Sequence, residues 1–127
     1  MGKKEVKAKQ GDGECIFCKI GRGEIPCRKV LENDNFIVFY DVNPRTKGHC
    51  LIVPKKHFKT ILDMPSSLYG EFLETAKEAA FKLLKEHRAE GFNLVLNNFE
   101  VAGQVVGHVH MHLMPRYKDD GFKLCVG

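Results

Sequence analysis

A chain of 127 residues, 43% hydrophobic and 28% charged, has material for one domain with a proper core and too little for two ordinary ones. Its longest apolar run falls well short of a bilayer, so a membrane-embedded class is not expected. The net charge of +4 is modest and the basic residues are scattered without interleaved aromatics, which argues against nucleic acid as a partner and leaves small anions such as phosphates compatible.

Residues 1–13 hold Lys3, Lys4, Lys7 and Lys9 but no apolar stretch, so they read as a flexible tail and not as a secretory signal, with the domain proper over residues 14–127. Five cysteines make an odd set for a disulfide framework. Cys15 and Cys18 form a C-x-x-C pair with histidines downstream, which suits a reducing cytoplasm and a bound metal, while Cys27, Cys50 and Cys125 read as space-filling thiols. From Cys15 to Ile20 the spacing predicts one helical turn with both thiols on one side, stopped by Gly21 and Gly23. Cys27 to Leu31 and Phe36 to Tyr40 are two strands of a hairpin joined across Glu32-Asn33-Asp34-Asn35. A turn at Asp41-Val42-Asn43-Pro44 precedes a strand from Gly48 to Val53 that Pro54 ends.

Asp63-Met64-Pro65-Ser66 has the chemistry of a helix start, and Leu68, Phe72, Ala76, Ala79 and Leu83 then recur at helical spacing. One long amphipathic helix is expected, with Gly91 as its stop and His87 solvated. Phe92 to Asn97 is a fourth strand, Asn98 to Gly107 a loop, and His108 to Met114 a fifth strand. Short turns between more strands than helices imply an α+β fold with a mostly antiparallel five-stranded sheet, one long helix and one short N-terminal helix.

The fifth strand carries the chemistry. In His108-Val109-His110-Met111-His112-Leu113-Met114 the imidazoles alternate with apolar residues, so an extended backbone places all three on one face at roughly 7 Å spacing and the apolar set on the other. Such a row can supply a nucleophile, an acid, a base or a metal ligand near neutral pH.

From Glu14 to Phe122 the sequence resembles the histidine triad (HIT) superfamily, and most closely the small bacterial HIT hydrolases related to the HINT branch. The resemblance rests on the triad together with Cys15-Ile16-Phe17-Cys18-Lys19-Ile20, Phe39-Tyr40-Asp41-Val42, Lys47-Gly48-His49, Ile52-Val53-Pro54-Lys55-Lys56-His57, Ala102-Gly103-Gln104 and Met114-Pro115-Arg116. It implies a nucleotide hydrolase or transferase that attacks the α-phosphate of purine nucleoside phosphoramidates or dinucleoside polyphosphates through a covalent nucleotidyl-histidine. The alternative is a purine nucleotide-binding or partner-binding module with little turnover. By the same resemblance His110 is the nucleophile, its tautomer set by a backbone carbonyl, and His112 donates to the phosphate. Gln104 and the amides near Gly103 stabilise charge on the phosphate oxygens, His49 supports the triad, and Asn97 belongs to the nucleotide site. Asp41 accepts the ribose hydroxyls, and Ile16, Phe17, Ile20, Phe39 and Val42 wall the base.

Two thiols plus two histidines make the usual four-ligand zinc set. The resemblance assigns Cys15, Cys18, His57 and His108 to one structural zinc per chain, and it implies a homodimer. One position departs from the pattern. Val105 stands where many related hydrolases carry a Ser or Thr whose hydroxyl contacts the leaving group.

Overall fold

A computed structural model describes residues 15–124 of the chain. The expected tail over residues 1–13 and the Cys125 thiol lie outside the described residues. In chain order come α1 (Ile16–Gly21), β1 (Lys29–Glu32), β2 (Phe36–Tyr40), β3 (Cys50–Pro54), a 3-10 turn (Ser66–Leu68), α2 (Tyr69–His87), β4 (Gly91–Leu96), a second 3-10 turn (Glu100–Ala102) and β5 (Met111–Arg116). The strands form one antiparallel sheet in the order β1-β2-β3-β5-β4. The expected α+β class and its elements are all present.

The hairpin forms where the turn chemistry places it. Asn33 Oδ1 accepts from the N–H groups of Asn35 (3.1 Å) and Phe36 (2.9 Å), while its Nδ2 donates to Thr75 Oγ1 on α2 at 3.0 Å. Strand β2 is buried on both faces, which is why it reads as an unbroken aromatic and β-branched run. Phe36 and Val38 join Cys50, Ile52, Leu113 and the α2 stripe of Phe72, Ala76, Ala79 and Leu83 in the larger core, with Tyr40 packed against it. Ile37, Phe39, Leu51 and Val53 face the other way and pack on Phe17 and Ile20 of α1. The sheet therefore separates a long-helix side, which is core, from a short-helix side, where the histidines lie.

Several expectations shift, with β1 running over Lys29–Glu32 and β3 over Cys50–Pro54, each starting two residues later than expected. Helix α2 begins after a 3-10 turn and ends at Arg88, which adopts φ +56° and donates its N–H to Leu84 O; Gly91 instead opens β4. A left-handed closing residue is the usual helix stop, here taken by an arginine. His87 is half-buried and bonded to Tyr40, not solvated. The ladder of β5 starts only at Met111, because its partner β3 ends at Pro54, which has no N–H to donate. Cys50 fills space as expected, whereas Cys27 is only half-buried.

Candidate active site and metal centre

The backbone of residues 108–110 precedes the β5 ladder yet keeps its alternation. Val109 is fully buried in the α2-side core and donates its N–H to Phe58 O at 2.7 Å, so His108 and His110 turn toward α1. There Phe17 lies edge-on to both, with ring centroids 5.8 Å from His108 and 5.1 Å from His110. The His110 and His112 rings are 5.0 Å apart between centroids and inclined at 66°.

Hydrogen bonds fix the tautomers one by one. His110 Nδ1 is 2.8 Å from His108 O, and a carbonyl can only accept, so Nδ1 carries the hydrogen and Nε2 keeps a free lone pair. His49 Nδ1 accepts the Arg45 N–H at 3.0 Å, which places the His49 hydrogen on Nε2. That Nε2 lies 3.0 Å from His112 Nδ1 and 3.5 Å from Asp41 Oδ2. His112 therefore accepts at Nδ1 and carries its own hydrogen on Nε2, available to a ligand. Burial is the leading cause that lowers the pKa of all three imidazoles; for His112, taken down to about 4, neighbouring His110 and His49 add to it, and for His49 the Asp41 carboxylate opposes it. They are neutral at pH 7, so the Asp41–His49 contact is a polar one and not an ion pair. A free His112 side chain binds a proton near pH 6.5, whereas the folded one waits until about 4. Between those values the unfolded chain holds more protons, and stability is expected to fall as pH drops through that window. Thermal melts from pH 7 to pH 4 check this; a flat profile would show that His112 is not buried neutral.

The second cluster has a different chemistry. Cys15 Sγ is 3.2 Å from His108 Nδ1, and Cys18 Sγ is 3.3 Å from His57 Nδ1 and 3.5 Å from His108 Nδ1. All four ligand atoms fall within 4.8 Å of one another. Zinc–sulfur and zinc–nitrogen bonds at tetrahedral angles give S···N edges of about 3.5 Å, so the set fits a tetrahedral zinc. His108 Nε2 donates to Pro54 O at 2.8 Å, which leaves the Nδ1 lone pair facing the thiols. Cys15 caps α1, its Sγ accepting the Cys18 N–H, and hydrogen bonds from Cys18, then His108 and His57, hold its thiol down at about 2. Asp41, His49 and His112 also converge, but His49 Nε2 carries a hydrogen because Nδ1 is taken by an amide. That trio is a hydrogen-bonded relay from His49 Nε2–H to its neighbours and does not present a ligand set.

Gln104 departs from its expected part. Its Nε2 donates to Lys59 O (2.6 Å) and Val106 O (3.0 Å), and its Oε1 accepts the Phe99 N–H at 2.7 Å. Both amide hydrogens are spent, so it anchors the loop. It holds Phe99 at φ +76°, ψ 152°, a region open mainly to glycine. The Gly103 and Gln104 amides are likewise taken, by Glu100 O and Phe99 O. Among the described residues the N–H groups of Val105, Val106 and Gly107 have no protein acceptor. Asn97 lies against Gly103, its Nδ2 3.5 Å from where a Cβ would sit. Of the five expected base walls, Phe17, Ile20 and Phe39 are committed to the core, whereas Ile16 (46%) and Val42 (91%) are exposed. The Arg45 amide and the Pro54 carbonyl, which set two tautomers, went unforeseen because backbone groups carry no sequence signature.

A family model described as the HIT domain matches residues 22–119. The chain is 48% identical over 107 residues to an uncharacterised HIT-like protein of Methanocaldococcus jannaschii, covering 84% of this chain and 82% of that protein. It is 40% identical over 116 residues to the adenosine 5'-monophosphoramidase of Saccharomyces cerevisiae, covering 91% of this chain and 70% of that one. Among solved structures, a zinc-bound histidine triad family protein of Mycobacterium smegmatis superposes with a TM-score of 0.82 at 32% identity, covering 87% of this chain and 80% of the other. The chain belongs to the HIT superfamily and is related to its HINT branch.

Proposed function

We propose that this protein is a nucleotide hydrolase or transferase that cleaves purine nucleoside phosphoramidates or dinucleoside polyphosphates at the α-phosphate through a nucleotidyl-His110 intermediate. The observation that carries this reading is the His110 tautomer, with Nδ1–H on the His108 carbonyl and a bare Nε2 lone pair on a buried neutral ring. In the first step Nε2 forms a bond to phosphorus while the bond to the departing nitrogen or oxygen breaks, and the leaving group takes up a proton from solvent, which the attacking water returns in the second step. The His112 Nε2–H donates to a phosphate oxygen, with the free amides of Val105 to Gly107 adding donors. Water then attacks phosphorus, the P–Nε2 bond breaks, and the nucleoside monophosphate leaves. Release of adenosine monophosphate from adenosine 5'-phosphoramidate, with an acid-labile adduct on the His110 peptide in mass spectra, tests the scheme. No release from either substrate class would reject it.

Cys15, Cys18, His57 and His108 would hold one zinc, which ties α1 to the triad and, with all four positions filled by protein, generates no hydroxide. The reduced thiols suit a cytoplasmic setting.

Val105 favours a second reading, a purine nucleotide-binding or partner-binding module with little turnover. Its side chain is 90% exposed and offers no hydroxyl to a departing group. Loss of one transition-state donor lowers rates by about 10²-fold. Val105→Ser is therefore expected to raise single-turnover rates on a phosphoramidate with a poor leaving group and to matter less for a polyphosphate. No gain on either substrate would remove Val105 as an argument for weak turnover.

The proposed assembly is a homodimer through β4. Among the described residues this strand pairs only with β5, carries neither charge nor proline, and exposes Phe92 (41%) and Leu94 (39%). Such an edge is a template for pairing with a second copy. Sedimentation is expected to show a species of twice the chain mass at micromolar concentration, and a 14.4 kDa species would count against it.

A further inference from the structure

The segment from Asp41 to His49 carries two members of the hydrogen-bonded relay that ends at His112, and both of its feet rest on one side chain from the opposite face of the sheet. His87 closes α2, and its Nε2 lies 3.2 Å from the Tyr40 hydroxyl, with the two rings at 87° and 6.0 Å between centroids. Tyr40 is the residue before Asp41. The same imidazole abuts Gly48, where a Cβ would sit 2.9 Å from His87 Cδ2 and 3.3 Å from Cγ, on a backbone with φ +88°. Gly48 is the residue before His49.

Between the feet, backbone bonds turn foot position into relay geometry. The Asp41 N–H donates to His49 O at 3.0 Å, the His49 N–H to Thr46 O at 3.1 Å, and the Arg45 N–H to His49 Nδ1 at 3.0 Å. Other groups brace the same feet without reaching both. Arg28 Cζ lies 4.7 Å from the centre of the Tyr40 ring, and the Tyr117 hydroxyl donates to Lys47 O at 2.7 Å. Displacing either foot moves Asp41 or His49 directly, and with them the 3.5 Å and 3.0 Å contacts that His49 Nε2 makes to Asp41 Oδ2 and His112 Nδ1.

We infer that His87 is a positioning residue that sets the Asp41–His49–His112 relay through Tyr40 and Gly48. Its effect on turnover rests on the hydrolase reading, whereas its effect on the imidazoles does not. Side chains at position 87 need both a ring-sized body against Gly48 and a polar atom for Tyr40. Glutamine approximates this and alanine supplies neither.

The test pairs NMR of the His49 and His112 imidazole nitrogens with turnover. In His87→Ala both sets of signals are expected to shift, and kcat to fall by about ten- to 100-fold with KM within about twofold, since small misplacement far from the chemistry acts on the rate step. His87→Gln should recover most of kcat and return the signals toward wild type. Should His87→Ala fail to fold, Tyr40→Phe gives the same reading, because it removes one hydroxyl and leaves the ring in place. Unchanged His49 and His112 signals in both variants would overturn the inference, as would losses of kcat that His87→Gln does not recover. Shifted signals in a protein that releases no monophosphate from either substrate class would uphold the inference and count against the hydrolase reading alone.

Discussion

Replacing His110 with alanine is expected to lower turnover by about 10³-fold or more while nucleoside monophosphate affinity stays within roughly tenfold. On the proposed scheme the two effects separate, because the attacking lone pair would belong to His110 alone, whereas binding would draw on Asp41, on exposed Ile16 and Val42, and on loop amides without a protein acceptor. Truncation also opens space beside Phe17, 5.1 Å away in ring centroids, but that ring is held by Phe39 at 5.6 Å and by the α1-side cluster, so the helix should stay seated. Single-turnover kinetics and calorimetric titration with adenosine monophosphate measure the two quantities independently. Full residual activity would remove the covalent route. Loss of affinity in parallel with rate would mean that His110 binds the ground state as strongly as it serves the reaction.

What the sequence discloses about the fold follows the strength of its periodic signals. The α2 stripe and the β2 run are each long and unambiguous; β2 appears with its expected ends, Phe36 and Tyr40, and α2 with ends shifted by a few residues. The ends themselves turn on local hydrogen bonds. Nothing in the letters of Arg88 announces a left-handed cap, and Gly91 is the better guess on conformational freedom alone. His87 shows the same limit. A histidine at the end of an amphipathic helix reads as solvated until β2 and the Gly48 turn are folded against it, a contact between residues 47 positions apart for Tyr40.

The site was legible in its side chains and hidden in its backbone. Alternation alone places His108, His110 and His112 on one side, and the resemblance names the four candidate metal ligands whose atoms the fold brings within 4.8 Å. Which triad nitrogen is free depends on the His108 carbonyl, the Arg45 amide and the Pro54 carbonyl, and every residue type offers such groups. Gln104 illustrates how a motif can mislead about a role. Its Oε1 accepts the N–H of strained Phe99, while the Nε2 hydrogens expected on phosphate go to Lys59 O and Val106 O.

Zinc is expected at one per chain in protein purified without chelator, and its removal should lower the melting temperature by about 10 °C or more. A ligand present at a thousandfold over its dissociation constant stabilises by about 4 kcal/mol, and in a domain of this size each kcal/mol moves the midpoint by several degrees. The loss should be uneven. Two of the four ligands, Cys15 and Cys18, cap and line α1, a helix of six residues too short to stand on its own hydrogen bonds. His57 and His108 keep other anchors, since Phe58 O accepts the Val109 N–H and Pro54 O accepts from His108 Nε2. Hydrogen exchange after chelation should therefore rise across residues 16–21 before it rises in β3 or β5, and Cys18→Ser should reproduce both effects without chelator. Because His108 also offers its carbonyl to His110 Nδ1, some drift of the nucleophile should follow once α1 and Phe17 loosen, as a change in the His110 imidazole signals. Metal content near zero, with Cys15 and Cys18 freely titratable and the melting temperature unmoved by chelator, would reject the site and leave α1 held by Phe17 and Ile20 alone.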